Sequence, residues 1–211
     1  MNDGSYSIIL AAMDMIGQKI AVKITKKYND TVEFSTGKLY LDVSWNPEQH
    51  VTICGSVVAL PRGEWCSNTR GDFLRQELEL GDIVYFNYLT VQEDNLVFGE
   101  RDIYFVELEQ CFCFTRGDKL TAIANHVLIE PKMTENMAGS IYLGAPIRSE
   151  EEGHLRYIGT PIRGEEDLGL TAGDTVRFHE RNAFLNTIED KDYYVMTQDV
   201  ILGKVLNGRN L

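Results

Sequence analysis

Leu80-Gly81-Asp82-Ile83-Val84-Tyr85-Phe86 is echoed in the second half of the chain by Ala172-Gly173-Asp174-Thr175-Val176-Arg177-Phe178. Each copy sits inside a longer set of segments that match in the same order. Gln18 to Ile24 matches Asn125 to Pro131, and Gly37-Lys38-Leu39-Tyr40-Leu41 matches Gly139-Ser140-Ile141-Tyr142-Leu143. Gly55 to Pro61 matches Gly153 to Gly159, and after the Gly-Asp strands Arg101 to Val106 matches Lys191 to Met196. Both halves then close, with Cys111 to Phe114 and Ile201 to Val205. The spacing differs only between these blocks, so insertions fall in loops, as a true repeat requires. The chain reads as an internal duplication. Repeated modules commonly pair or stack with copies of themselves, so assembly ranks ahead of catalysis.

The local patterns agree on the type of structure. Lys19 to Ile24, Val51 to Leu60 and Asp102 to Val106 alternate with period two, as half-buried strands do. Gly-, Asn- and Asp-bearing turns separate them, and no window of a dozen residues carries an i, i+3, i+4, i+7 apolar stripe. The expected fold is all-β, two small barrels in tandem. An N-terminal extension (1–17) precedes a first module at 18–117 and a second at 118–211, with the join near Thr115-Arg116-Gly117-Asp118.

Composition narrows the partners. The 211 residues are 44% hydrophobic and 25% charged, ordinary globular material. Thirty-two acidic against twenty basic residues give a formal net charge of −12, which repels phosphate backbones and anionic lipid, so neither nucleic acid nor a membrane is an expected partner. The apolar stretch Ile8 to Met13 follows Asp3 with no Lys or Arg, and reads as neither a signal peptide nor a membrane span.

Chemistry-bearing residues do not assemble into a site. Cys54, Cys66, Cys111 and Cys113 lack C-x-x-C spacing, and are expected as buried or edge thiols in a reducing cytoplasm. His50, His126, His154 and His179 lack zinc spacing, and there is no nucleophile elbow, G-x-G-x-x-G or P-loop. No catalytic residue, metal ligand or cofactor is expected. Arg70-Gly71-Asp72 and Arg116-Gly117-Asp118 spell an adhesion tripeptide but read as plain turns.

The second half resembles the GroES-type co-chaperonins. The resemblance rests on Glu189-Asp190-Lys191-Asp192-Tyr193-Tyr194-Val195-Met196 followed by Asp199-Val200-Ile201-Leu202-Gly203-Lys204-Val205. It rests also on the opening strand Asn125 to Pro131, the loop ending in Gly139-Ser140-Ile141-Tyr142-Leu143, and the Gly173 to Phe178 strand. The first half is similar over roughly 18 to 114, but Glu107-Leu108-Glu109-Gln110-Cys111-Phe112 replaces the family's Asp-Ile-Leu ending. Tandem modules are known in some plastid co-chaperonins, although this chain has no Arg/Ser-rich transit-like start; phage-encoded members are another source of such diverged chains.

The resemblance implies a cytoplasmic homo-oligomeric ring that caps a GroEL-type chaperonin, with ATP bound by that partner. It assigns Ile141, Tyr142 and Leu143 to the chaperonin-binding tripeptide, with Leu39, Tyr40 and Leu41 as the first module's version. Burying apolar side chains gains about 1.5–3 kcal/mol each, which barely covers ordering a loop at about 1–2 kcal/mol per residue. A single loop therefore binds weakly and a ring of them strongly, by roughly 10²–10⁴ through multivalency. The middle tyrosine departs from the family's small aliphatic. A buried aromatic with a polar tip requires a hydrogen-bond partner or a wet edge, which points to a dedicated or altered chaperonin.

Plainer readings stand beside these. Both triplets also read as barrel strands, and Phe184 reads either as a core aromatic or as the family's aromatic facing the chamber. Gly63 to Phe73 occupies the place of the family's roof hairpin, or is a loop against a neighbour. The family's fold also forms the catalytic domain of zinc alcohol dehydrogenases, but no ligand set or dinucleotide domain accompanies it here. The rival function is a viral or cellular assembly protein that uses the tandem fold without binding a chaperonin.

Overall fold

A computed structural model describes residues 18–25, 27–28, 31–35, 37–42, 51–61, 77–91, 102–138, 140–160 and 168–205. Cys66, His50, the roof segment Gly63 to Phe73, Arg70-Gly71-Asp72 and the 1–17 extension lie outside them. The chain divides into two compact units, 1–120 and 121–211.

The first half contributes β1 (Lys19–Lys23), β2 (Thr31–Phe34), β3 (Gly37–Tyr40), β4 (Cys54–Ala59), β5 (Ile83–Phe86), β6 (Ile103–Glu107) and β7 (Cys111–Arg116), and β8 (Lys119–Ala122) straddles the division. The second contributes β9 (His126–Thr134), β10 (Met137–Ala138), β11 (Ile141–Tyr142), β12 (Ile147–Ile158), β13 (Thr175–Phe178), β14 (Leu185–Ile188), β15 (Lys191–Thr197) and β16 (Ile201–Lys204). The fold is all-β, on two six-stranded sheets ordered β6-β1-β4-β5-β7-β8 and β14-β15-β9-β12-β13-β16. The run β6-β1-β4-β5-β7 therefore has the same order as β15-β9-β12-β13-β16. Among the described residues no helix is long and apolar enough to cross a membrane.

The likeness extends to single hydrogen bonds. Leu108 N–H donates to the Gln18 carbonyl at 2.8 Å, and Gln198 N–H donates to the Asn125 carbonyl at 2.8 Å. Gly81 N–H donates to Val57 O at 2.8 Å, and Gly173 N–H donates to Leu155 O at 2.7 Å. The two Gly-Asp turns need glycine, because Gly81 and Gly173 hold φ of 91° and 98°, where a Cβ is strained. In each turn the aspartate carboxylate accepts the N–H three residues back, Glu79 N to Asp82 Oδ2 and Thr171 N to Asp174 Oδ2, both at 2.7 Å. This fixes the chain's approach to the following strand.

Period two predicts strands with one buried face, and β1 departs from that. Ile20, Ala21 and Val22 are all fully buried. β1 is an interior strand, paired with β6 on one side and β4 on the other, and Ala21 packs with Ala59 and Ile103 on its second face. The second unit's core gathers Val127, Ile129, Leu155, Val176, Phe178, Tyr194 and Met196, with Phe178 edge-on to Tyr194 at 5.5 Å between centroids. Cys111 and Cys113 are buried in β7, and burial pushes the Cys111 thiol up. Arg116-Gly117-Asp118 runs from the end of β7 into the β7–β8 turn.

Candidate functional site

Each half carries a small two-stranded hairpin that belongs to neither six-stranded sheet: β2–β3 in the first and β10–β11 in the second. The last strand of each hairpin holds the first two residues of a triplet, with Leu41 and Leu143 directly after it, so the triplets are not barrel strands. Their side chains are the opposite of core. Ile141 is 65% exposed, and Tyr142 and Leu143 are each 57% exposed. Leu39 and Tyr40 are 52% and 75% exposed, whereas Leu41, just beyond β3, is half-buried.

The second hairpin is tied at its root. Thr134 and Ile147 pair in the β9–β12 ladder, and the Thr134 hydroxyl donates to the Ile147 carbonyl at 3.2 Å. Arg148 forms an ion pair with Asp192 of β15. Within the hairpin Met137 opposes Tyr142 and Ala138 opposes Ile141, and Leu143 N–H donates to Asn136 O at 2.7 Å, which carries the ladder one pair further. The first hairpin has the same plan, with Thr31 opposite Tyr40 and Val32 opposite Leu39.

Sequence reasoning missed part of this apolar surface. Met133, Met137 and Ile147, around the root and rising strand, are each roughly half exposed. An open cleft of about 970 Å³ beside the root is lined by Met133, Pro146, Ile147, Leu185 and Tyr194, with Glu150 and Glu180 among its polar residues. The cross-strand registers set Met137 directly opposite Tyr142 and put Met133 and Ile147 in the β9–β12 ladder at the hairpin's root, and nothing in a linear pattern shows it. Phe184 is 68% exposed, so it is not a core aromatic.

Several polar groups of the second half are engaged in structural pairs. Lys132 holds Glu152 at 2.7 Å and lowers its carboxyl pKa, Arg177 reaches the same carboxylate at 3.1 Å, and Arg156 pairs with Glu130. His154 shares a hydrogen bond with the Thr175 hydroxyl at 3.2 Å, and His126 Nδ1 lies 3.1 Å from the Ile123 carbonyl. Among the described residues no three His, Cys, Asp or Glu side chains are arranged to hold a metal.

An exposed apolar hairpin on a β scaffold has no chemistry of its own, and what it can do is bind an apolar surface. No curated protein matches the chain. Residues 119–205, which run from β8 through β16 and include the second hairpin, match the family model described as the chaperonin 10 kDa subunit, and this supports that family for the second module.

Proposed function

We propose that this protein is a non-enzymatic co-chaperonin. Two GroES-like modules per chain, related by duplication, assemble into a homo-oligomeric ring that caps a GroEL-type chaperonin in the cytoplasm. The ring assists folding driven by ATP that the partner binds and hydrolyses. The tripeptides that carry the chaperonin contact are Ile141-Tyr142-Leu143 in the second module and Leu39-Tyr40-Leu41 in the first.

The observation that carries this reading is the pair of solvent-exposed apolar hairpins at matching places in the two halves, one of them inside the segment that matches the chaperonin 10 kDa family. Two hairpins per chain multiply weak contacts, which suits a ring. Edge strand β16 supports self-assembly: it lies at the end of its sheet, and Leu202 on it is 61% exposed. Such an edge is a ready template for another strand. The family match stops short of the first module, and this keeps the rival reading, an assembly protein without chaperonin binding, as the alternative.

Co-sedimentation with a GroEL-type chaperonin, with and without ATP or ADP, separates the two. Nucleotide-dependent binding that the Ile141→Ser/Leu143→Ser double variant loses is the expected result. A stable ring that ignores chaperonins, including that of its natural host, overturns the reading in favour of an assembly protein.

A further inference from the structure

The register of the hairpins divides each triplet between two faces. Directly opposed residues in an antiparallel pair share a face, and successive residues alternate. Tyr142 therefore shares a face with Met137, while Ile141 and Leu143, two apart on a ladder that Leu143 N–H extends to Asn136, share the other. The first hairpin repeats the split, with Tyr40 opposite Thr31 and Leu39 opposite Val32. Leu39 and Tyr40, like Ile141 and Tyr142, are successive residues of one strand and thus fall on opposite sides of their hairpin.

We infer that only the aliphatic face enters the chaperonin groove, through Ile141 and Leu143, and that Tyr142 stays outside it, packed across the hairpin on Met137. This rests on the co-chaperonin reading and refines its contact site. It removes the need for a groove shaped around an aromatic, because a side chain on the far face is not buried by the partner. Tyr142 becomes a positioning residue. Tyr142 is exposed and stands directly opposite Met137, and packing of the ring on that thioether would favour the closed hairpin over an open loop. A hairpin already closed has less freedom to lose on docking. The phenol keeps its hydroxyl in water, as an amphipathic ring prefers.

Cysteine labelling of the intact protein tests the split directly. In a Cys54→Ser/Cys66→Ser background, Ile141→Cys, Tyr142→Cys and Leu143→Cys are each exposed to a maleimide, first free and then in the ATP-bound chaperonin complex. Ile141→Cys and Leu143→Cys are expected to slow by about tenfold or more on complex formation, being reached only by local opening. Tyr142→Cys is expected to react at a rate within about twofold of the free protein, because its face remains in solvent.

A second readout tests the positioning role. Tyr142→Phe should bind the chaperonin within about twofold of wild type, whereas Tyr142→Ser should weaken binding by about three- to tenfold, with no further loss when Met137→Ser is added, the signature of one shared contact. Protection of Tyr142→Cys equal to that of its neighbours overturns the inference while leaving the co-chaperonin reading intact. So does full additivity of Tyr142→Ser and Met137→Ser. A wild-type chain that binds no chaperonin overturns both.

Discussion

Arg116 grips Asp82 with two nitrogens, Nε to Oδ1 at 2.8 Å and Nη2 to Oδ2 at 2.7 Å. The same guanidinium donates to the Glu77 carbonyl at 3.0 Å and to Glu79 Oε1 at 2.9 Å. In the second half Lys204 does the corresponding work, with Nζ at 2.7 Å from Asp174 Oδ2 and 2.6 Å from the Gly169 carbonyl. The acceptors occupy matching places, since Asp82 and Asp174 follow the motif glycine and Glu77 and Gly169 lie equally far ahead of each aspartate. The cations do not. Val84 pairs with Phe114 and Val176 pairs with Lys204, so Lys204 stands where the first half has a phenylalanine, and Arg116 reaches back from two residues further on. Both halves keep the carboxylate, and each neutralises it in its own way. A buried carboxylate without such a partner is costly, and Asp82 is only 3% exposed.

Asp82→Asn should therefore destabilise more than Asp174→Asn. An amide keeps one acceptor but forfeits the charge-assisted bonds, at a cost of about 1–3 kcal/mol for Asp82. With about 2–4 °C per kcal/mol for a chain of this length, thermal unfolding resolves the difference. Equal melting shifts for the two variants would contradict this account.

The clamps also set the acid limit. The Lys204 ammonium and the Thr171 N–H hold Asp174 down at about 2, below the ordinary aspartate value of 3.8. Burial alone raises Asp82, but the Arg116 and Glu79 N–H bonds outweigh it and the net shift is downward. Carboxyls lowered on folding contribute their full stability above the unfolded pKa and lose it as pH falls through the folded one. Stability is expected to hold down to about pH 4 and to fall between there and about pH 2 as the unfolded chain takes up protons. Lys204→Met should flatten that fall, and unfolding curves that stay parallel to wild type from neutral pH to pH 2 would rule the Asp174 contribution out.

Gly153→Ala is expected to be severe. A Cβ there meets Ile129 Cγ2 at 2.3 Å and the Glu130 carbonyl at 2.7 Å, and the second is backbone. The matching Gly55 is roomier, with the Lys23 carbonyl at 2.9 Å and Ile24 Cγ1 at 3.1 Å. Overpacking of this kind costs about 1–3 kcal/mol or more, so Gly153→Ala should lower the melting temperature further than Gly55→Ala. The reverse order would show that β9 and β12 separate more readily than β1 and β4.

Phe178→Ala and Leu202→Ala form a contrasting pair. Phe178 is 2% exposed and stacked edge-on to Tyr194, so its loss should cost about 3–5 kcal/mol. Leu202 is exposed on β16, and its truncation should change unfolding by no more than about 0.5 kcal/mol. On the ring reading it should nonetheless shift the sedimenting species toward smaller assemblies. A Leu202→Ala ring as resistant to dilution as wild type would remove this residue from the interface.

The two hairpins should contribute unequally. Leu41 is half-buried while Leu143 is 57% exposed, so the first hairpin offers fewer free anchors. Each anchor is worth roughly 1.5–3 kcal/mol of burial. Ile141→Ser should weaken chaperonin binding more than Leu39→Ser in the same titration; a larger loss from Leu39→Ser would assign the dominant contact to the first module.

Much of the fold was legible from local pattern. The period-two runs around Ile20, Val57 and Ile103 mark β1, β4 and β6, and the Gly-Asp motifs mark the turns before β5 and β13. Strand alternation and turn chemistry are local, so residues a few positions apart carry them. Full burial of Ala21 was not legible, because a small apolar side chain on the second face looks like a pause in the pattern until Ala59 and Ile103 are brought against it. The clamps were hidden for a related reason. Aligning the halves matches Asp82 with Asp174 but sets Arg116 and Lys204 out of step, and only the β5–β7 and β13–β16 registers bring both cations to the same acceptors.

The sequence by itself determined the all-β class, the repeated order of segments and the two apolar triplets, because each is written in contiguous residues. Tertiary structure decided that the triplets stand on hairpins outside the sheets, that Met137 stands opposite Tyr142 in the ladder, and that Ile141 and Leu143 fall on the other face. Those outcomes depend on cross-strand register, where a slip of one residue turns every side chain to the other face, and register is set by the whole ladder rather than by any single stretch of chain.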